Sequence, residues 1–210
     1  KPFGQVLAES RDIARYCDEH DWQSIWTTEH HFGHEGLEVC PNPVLMSTDI
    51  AARTRNIRIG QAANIITFRH PIQVAEDLAM LDQMCDGRLE VAVGRGIYPR
   101  ETINMNPLAD VRNPTVNREL FTETLDIIRA AWTSDFFSHK GKHYEFPYPG
   151  VACDHAMSPP RPENTDPETG NLTALALVPR PLQRPHPPLW QVVDTQTSIE
   201  YAGHEGLNAM

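Results

Sequence analysis

The chain has 210 residues, 40% of them hydrophobic and 22% charged, with a formal net charge of −10. That balance is ordinary for a globular domain, and the acidic excess excludes a nucleic-acid surface, which needs clustered Lys and Arg. No stretch approaches the roughly 18–20 apolar residues that span a bilayer, and none reads as a secretory signal, so no membrane contact is expected. The four cysteines, Cys17, Cys40, Cys85 and Cys153, lack CxxC spacing and read as reduced thiols of a cytoplasmic protein. Cys153-Asp154-His155 has no second ligand pair at zinc-like spacing, so no metal is expected there.

Apolar residues at Val6, Leu7, Ile13, Ala14 and Cys17 recur near the helical period and predict a helix over Val6 to Glu19. Ser24 to Thr27 reads as a short buried strand that hands over to Glu29-His30-His31-Phe32. Asn42 caps a second helix, with Pro43 at its first position, running through Ile50 and Ala51. Arg58 to Ile66 reads as a strand, and Pro71 to Met84 as a helix with Val74, Leu78, Leu81 and Met84 on one face. Asp86-Gly87 turns the chain into a strand, Leu89 to Val93, which ends at Gly94-Arg95-Gly96; Ile97-Tyr98-Pro99 reads as loop. Asn117-Arg118-Glu119 begins a helix through Leu120, Leu125, Ile128 and Ala131. Phe136 to Phe146 reads as a hairpin turning near Gly141. Residues 147–188 are rich in proline and read as a long surface insertion, part of it mobile. Leu189 to Val193 resumes a buried strand, and Asp194-Thr195-Gln196-Thr197-Ser198 begins another helix.

Strand–helix alternation of this kind predicts an α/β fold of parallel βαβ units. Gly94-Arg95-Gly96 lacks the third glycine of a dinucleotide-binding fingerprint, which favours a barrel over a doubly wound sheet. A complete (β/α)8 barrel takes about 250 residues. The expectation is therefore one partial-barrel domain over residues 1–210, carrying the insertion and lacking its first strand and final three βα units. Open strand edges would then call for a partner.

Three strand ends carry chemistry. Imidazole exchanges a proton near neutral pH, so Glu29-His30-His31 offers an acid or base where barrels keep their active sites. Arg95 offers a cation between two glycines, where a flat ligand or phosphate can approach the backbone. The helix start at Asp194 to Ser198 offers hydroxyls and exposed N–H groups to a phosphate, and Arg118 a second cation. Each also has a structural reading: Arg95 as an ion-pair partner, Thr195 and Ser198 as helix caps. Together they suggest a planar, phosphate-bearing cofactor.

Glu29-His30-His31-Phe32, Arg69-His70-Pro71 with Ala75-Glu76-Asp77, Leu81-Asp82-Gln83-Met84 with Gly87-Arg88, and Gly94-Arg95-Gly96-Ile97-Tyr98 stand in one order with sensible spacing. With Pro188 to Ser198, they resemble the bacterial luciferase-like flavin monooxygenase family over most of the chain outside the insertion. The resemblance implies a luciferase-like (β/α)8 TIM barrel that takes reduced FMN from a separate flavin reductase. Dioxygen would add at the flavin C4a position, and the peroxide would oxidise a small apolar organic substrate. By position, His30 would be the proton-transfer residue; Arg95, Arg118, Thr195 and Ser198 would hold the FMN phosphate, with Asp194 at the same helix start. Ala62-Ala63 falls where the family has a non-prolyl cis peptide beneath the isoalloxazine. Glu29, Phe32 and Tyr98 are candidate pocket residues, with Trp26 and Phe68 as further apolar wall. A homodimer or heterodimer is implied by the same route. Gly94 stands where luciferase has a reactive cysteine, so the resemblance implies oxygenation rather than light emission. Two other readings stay open: a deazaflavin-dependent oxidoreductase of the same barrel superfamily, transferring hydride without oxygen, and a flavin-binding relative without activity.

Overall fold

The computed structural model describes residues 1–34, 36 and 40–210. Helix α1 (Phe3–Glu19) precedes strand β1 (Ser24–Thr27), then come α2 (Pro43–Ala51), β2 (Arg58–Ile65), α3 (Pro71–Met84) and β3 (Leu89–Gly94). Beyond these lie α4 (Pro99–Met105), α5 (Pro114–Thr133), the hairpin β4 (His139–Lys140) and β5 (Glu145–Phe146), β6 (Leu189–Gln191), α6 (Gln196–His204) and β7 (Asn208–Ala209). Strands β1, β2, β3, β6 and β7 form one parallel sheet in that order, an open arc rather than a closed barrel. The proline-rich residues 147–188 contribute no strand to it.

The central strands β2 and β3 are buried on both faces, as parallel strands usually are. On the helix side, Ile59, Leu89, Val91, Val93 and Leu189 pack with Val74, Leu78, Leu81, Phe121, Leu125, Ile128 and Trp132. On the barrel side a smaller cluster holds Ala63, Ile65, Phe68 and Ala92, with Trp26 and Trp190 against it. Gly60 is needed there, because a Cβ would stand 2.1 Å from the Trp26 ring.

Two findings differ from the sequence reading. A seven-residue helix, α4, follows Tyr98, where a loop was expected. Pro99 is its first residue, a position where proline costs no hydrogen bond, but the helix is too short to show an apolar stripe. The insertion, moreover, is not wholly on the surface. Gln183 reaches under the sheet, donating from its backbone N–H to Asp82 at 2.8 Å and from Nε2 to Asp82 at 2.7 Å and the Leu89 carbonyl at 2.9 Å. Asp82 is fully buried, and Arg58 pairs with Glu90 beside it while donating to Gln183 at 3.1 Å. Isolated bridges Phe137–Leu175, Ala152–Asn171 and Thr165–Leu172 order the remainder.

The hairpin is tied to α5 by one carboxylate. Glu123 accepts from His139 Nε2 at 3.0 Å, from the Lys142 N–H at 3.2 Å, from the His143 N–H at 3.0 Å and from the Tyr144 N–H at 2.9 Å. Burial pushes this carboxyl up, but the bonds from His139, Tyr144 and His143 outweigh it and hold it below the usual glutamate range. A carboxyl whose pKa drops on folding stabilises fully above its unfolded value, about 4.3, and loses that contribution as pH falls through the folded value. Glu123→Gln should therefore cost about 1–2 kcal/mol in urea unfolding at pH 7 and flatten the acid limb of the stability profile.

Candidate functional site

The chain leaves β1 through Glu29, His30 and His31, and two buried carboxylates fix its path. Glu29 accepts the Ile65 N–H at 2.8 Å and lies 3.1 Å from His31 Nε2. Glu101, on α4, accepts the His31 N–H at 3.0 Å and stands 3.4 Å from His30 Nδ1. The Glu101 side chain is only 4% exposed, whereas that of His30 is 21% exposed at the wall of a cavity over the strand ends. The His30 N–H donates to the Cys40 carbonyl at 3.1 Å.

Ala62-Ala63 is a cis peptide, and the β2–β3 register shifts between Gln61 and Asn64, around that bond. Both alanines line the cavity with Gly94, a small-residue wall that leaves room for a flat ring. A Cβ on Gly94 would meet Ile65 Cδ1 at 2.9 Å and Ala63 Cβ at 3.2 Å. Gly96 turns the chain away from β3 with φ +86°, a conformation costly for other residues, and a Cβ there would stand 2.5 Å from Thr102.

Arg95, between these glycines, donates from one guanidinium nitrogen to Asn117 Oδ1 at 3.1 Å, and Asn117 donates back to the Arg95 carbonyl at 3.0 Å. Burial, then the neighbouring Arg118 guanidinium, push Arg95 below its usual range, with Asp194 and Tyr201 opposing. Like charges held together this way favour an anion beside them. At α6, Thr195 and Ser198 cap reciprocally: the Ser198 N–H donates to Thr195 Oγ1 at 3.2 Å, and the Thr195 N–H to Ser198 Oγ at 3.0 Å. The hydroxyls are engaged in the cap, which leaves the first helical N–H groups, at Gln196 and Thr197, for an anion.

One cavity gathers Glu29, His30, Ala62, Ala63, Arg95, Asp194 and Ser198. Thr195 lies just outside its lining, as the residue before α6. Arg118 sits over the Tyr201 ring at 5.6 Å and lines a separate groove between α5 and the hairpin with Glu119, Glu123, Asp126 and Lys142. Phe32 is 51% exposed in an outer recess with His34 and Pro41. Tyr98 is 44% exposed, its ring 5.8 Å from that of His30. Trp26 and Phe68 belong to the barrel-side core. Sequence reasoning passed over Glu101, whose helix it did not see, and Gln191, a polar residue inside the apolar run Leu189 to Val193. Gln191 is 2% exposed and lines the cavity. Its position within an apolar strand was the available signal.

The sequence profile of the family described as luciferase-like monooxygenase matches residues 2–210. The chain belongs to that family. The oxygenase component of flavin-dependent trigonelline monooxygenase from Acinetobacter baylyi is 28% identical over 204 residues, 97% of this chain and 48% of that protein. Monooxygenase RslO1 from Streptomyces bottropensis superposes with a TM-score of 0.79 at 28% identity, over 100% of this chain and 54% of that one. The oxygenating constituent of 3,6-diketocamphane monooxygenase from Pseudomonas putida, in complex with FMN, shares the fold at a TM-score of 0.78 and 21% identity, over 100% of this chain and 52% of that one. This luciferase-like chain thus spans about half the length of the relatives it matches.

Gly96 gives the site a direct stability test. Gly96→Ala should lower unfolding stability by about 1–2 kcal/mol through its left-handed backbone, as read by urea denaturation, with further loss from the Thr102 contact.

Proposed function

We propose that this chain is the oxygenase part of an FMN-dependent, two-component monooxygenase, oxidising a small apolar organic substrate with reduced FMN and dioxygen. The observation that carries the reading is one cavity holding both a half-buried arginine with a second arginine beside it and a histidine held by a buried carboxylate. The residues fit the cofactor. Arg95 and the first amides of α6 suit its phosphate, with Arg118 adding positive potential, while Asp194 balances Arg95 rather than meeting the anion. Ala62, Ala63 and Gly94 suit a planar ring.

Bound reduced flavin supplies the electrons that activate dioxygen. His30, with Nδ1 3.4 Å from Glu101 and its side chain at the cavity wall, would exchange a proton with the bound reactants. Glu101 and Glu29 hold the histidine segment in place, and Ile65, Ile97 and Val192 give the cavity apolar wall for the substrate. A reductase must supply the reduced FMN. A second copy of the chain, or a related one, would cover the apolar groove where Leu45, Met80 and Met84 stand exposed along α2 and α3. No described helix is long and apolar enough to cross a membrane, and a cytoplasmic enzyme supplied by a reductase is the setting this reading requires.

The test is anaerobic titration with reduced FMN, followed by rapid mixing with oxygenated buffer and an apolar carbonyl substrate. His30→Ala should bind reduced FMN within a few-fold of wild type while product formation falls by roughly 10²–10⁴. Unchanged product formation would remove His30 from the chemistry. Binding of a deazaflavin coenzyme without oxygen uptake would replace oxygenation by hydride transfer.

A further inference from the structure

We infer that Asn117 is the positioning residue that reserves this site for a phosphate-bearing cofactor, because it holds the Arg95 guanidinium in place while leaving its charge unpaired. The inference rests on the flavin-site reading above.

Asn117 stands near the start of α5, one helical turn before Leu120 and Phe121, on the face that meets the core. It is 1% exposed, and an amide buried there is costly unless its groups are met. They are met. Its Nδ2 donates to the Ala109 carbonyl at 2.8 Å and to the Arg95 carbonyl at 3.0 Å, while Oδ1 accepts from Arg95 Nη1 at 3.1 Å. Two carbonyls fix where the donor end of the amide points, so its oxygen end faces the guanidinium. One side chain thus grips Arg95 by both its backbone and its head group.

The grip does not neutralise the cation. Elsewhere half-buried arginines are matched: Arg11 with Asp49 at 2.7 Å, Arg129 with Glu205 at 3.0 Å, and Arg58 with Glu90. Arg88 spends its nitrogens on the carbonyls of Cys85, Ile57, Ala51 and Thr54. Arg95 forms no ion pair among the described residues; Asp194 acts on it only through space, and Arg118 repels it. Its Nε and Nη2 have no hydrogen-bond partner among the described residues, and neither is a buried orphan. A carboxylate at position 117 would pair with the guanidinium but turn an acceptor on two carbonyls. An amide holds the group and leaves the charge. A fixed, unpaired guanidinium with N–H groups to spare suits an anion with several acceptor oxygens, which is what a phosphate monoester offers.

The experiment uses the full chain as wild type, Asn117→Asp and Asn117→Ala. Each is titrated by flavin fluorescence with oxidised FMN and with riboflavin, the same flavin without the phosphate, and thermal unfolding confirms folding. Wild type should prefer FMN. That preference should fall roughly tenfold or more in Asn117→Asp, where the added carboxylate takes up the guanidinium, and roughly 3–10-fold in Asn117→Ala, with riboflavin affinity unchanged in both. A folded variant that keeps the full preference would overturn the assignment, as would an equal loss for both flavins, the mark of a purely structural role. If neither variant folds, a crystal structure of the wild-type chain with FMN decides: Asn117 still bonded to the Arg95 guanidinium upholds the assignment, and a guanidinium turned away from it overturns it. Equal wild-type affinity for FMN and riboflavin overturns the assignment while flavin binding stands. Should the wild-type chain take a deazaflavin coenzyme and not FMN, the monooxygenase reading fails, while the same variants with that coenzyme and its phosphate-free form still decide Asn117. Binding of neither coenzyme overturns both.

Discussion

The upper end of this barrel depends on two buried carboxylates. Glu29 and Glu101 take up backbone N–H groups at Ile65, beyond the end of the β1–β2 ladder, and at His31, after β1 has ended. Such groups must be paired when buried, and here side chains from two other segments pair them. The arrangement locks the end of β2, the segment after β1 and helix α4 into one frame. His30 stands inside that frame, close to Glu101 and yet partly open to the cavity. A proton-transferring histidine needs this combination of fixed orientation and access.

The opposite end of the cavity is an electrostatic exception to the molecule as a whole. The chain carries a net charge of −10, but at Arg95 the largest influence after burial is another guanidinium, that of Arg118. Asn117 holds Arg95 from both its side chain and its carbonyl, and is itself tied to the Ala109 carbonyl at 2.8 Å. The cation is thereby fixed before any anion arrives. Preorganisation of this kind lowers the cost of binding, and it would let an acidic protein hold the phosphorylated cofactor proposed above.

Much of the fold was legible because burial on both faces forces a simple pattern. Ile59 to Ile66 and Leu89 to Val93 are apolar runs that few structures other than parallel strands accommodate, and helix starts at Pro43 and Pro71 were announced by proline. Helix α4 escaped because seven residues cannot display helical period, and with it went Glu101. The role of Gln183 beneath the sheet was equally hidden, since a contact spanning about a hundred residues leaves no local trace. At the site, His30 and Arg95 were visible as an imidazole and a guanidinium at strand ends. Thr195 and Ser198 read equally as phosphate ligands or as caps, and the structure shows their hydroxyls engaged in the cap. Arg118 and Phe32 illustrate the remaining limit, because which wall a side chain faces is set by packing rather than by spacing.

The account stands most directly on where a phosphate binds. A crystal structure of the full chain with FMN should place the phosphate within hydrogen-bond reach of the Arg95 guanidinium and the Gln196 and Thr197 amides, with the ring against Ala62-Ala63. A phosphate found instead in the groove between α5 and the hairpin, beside Lys142, would contradict it.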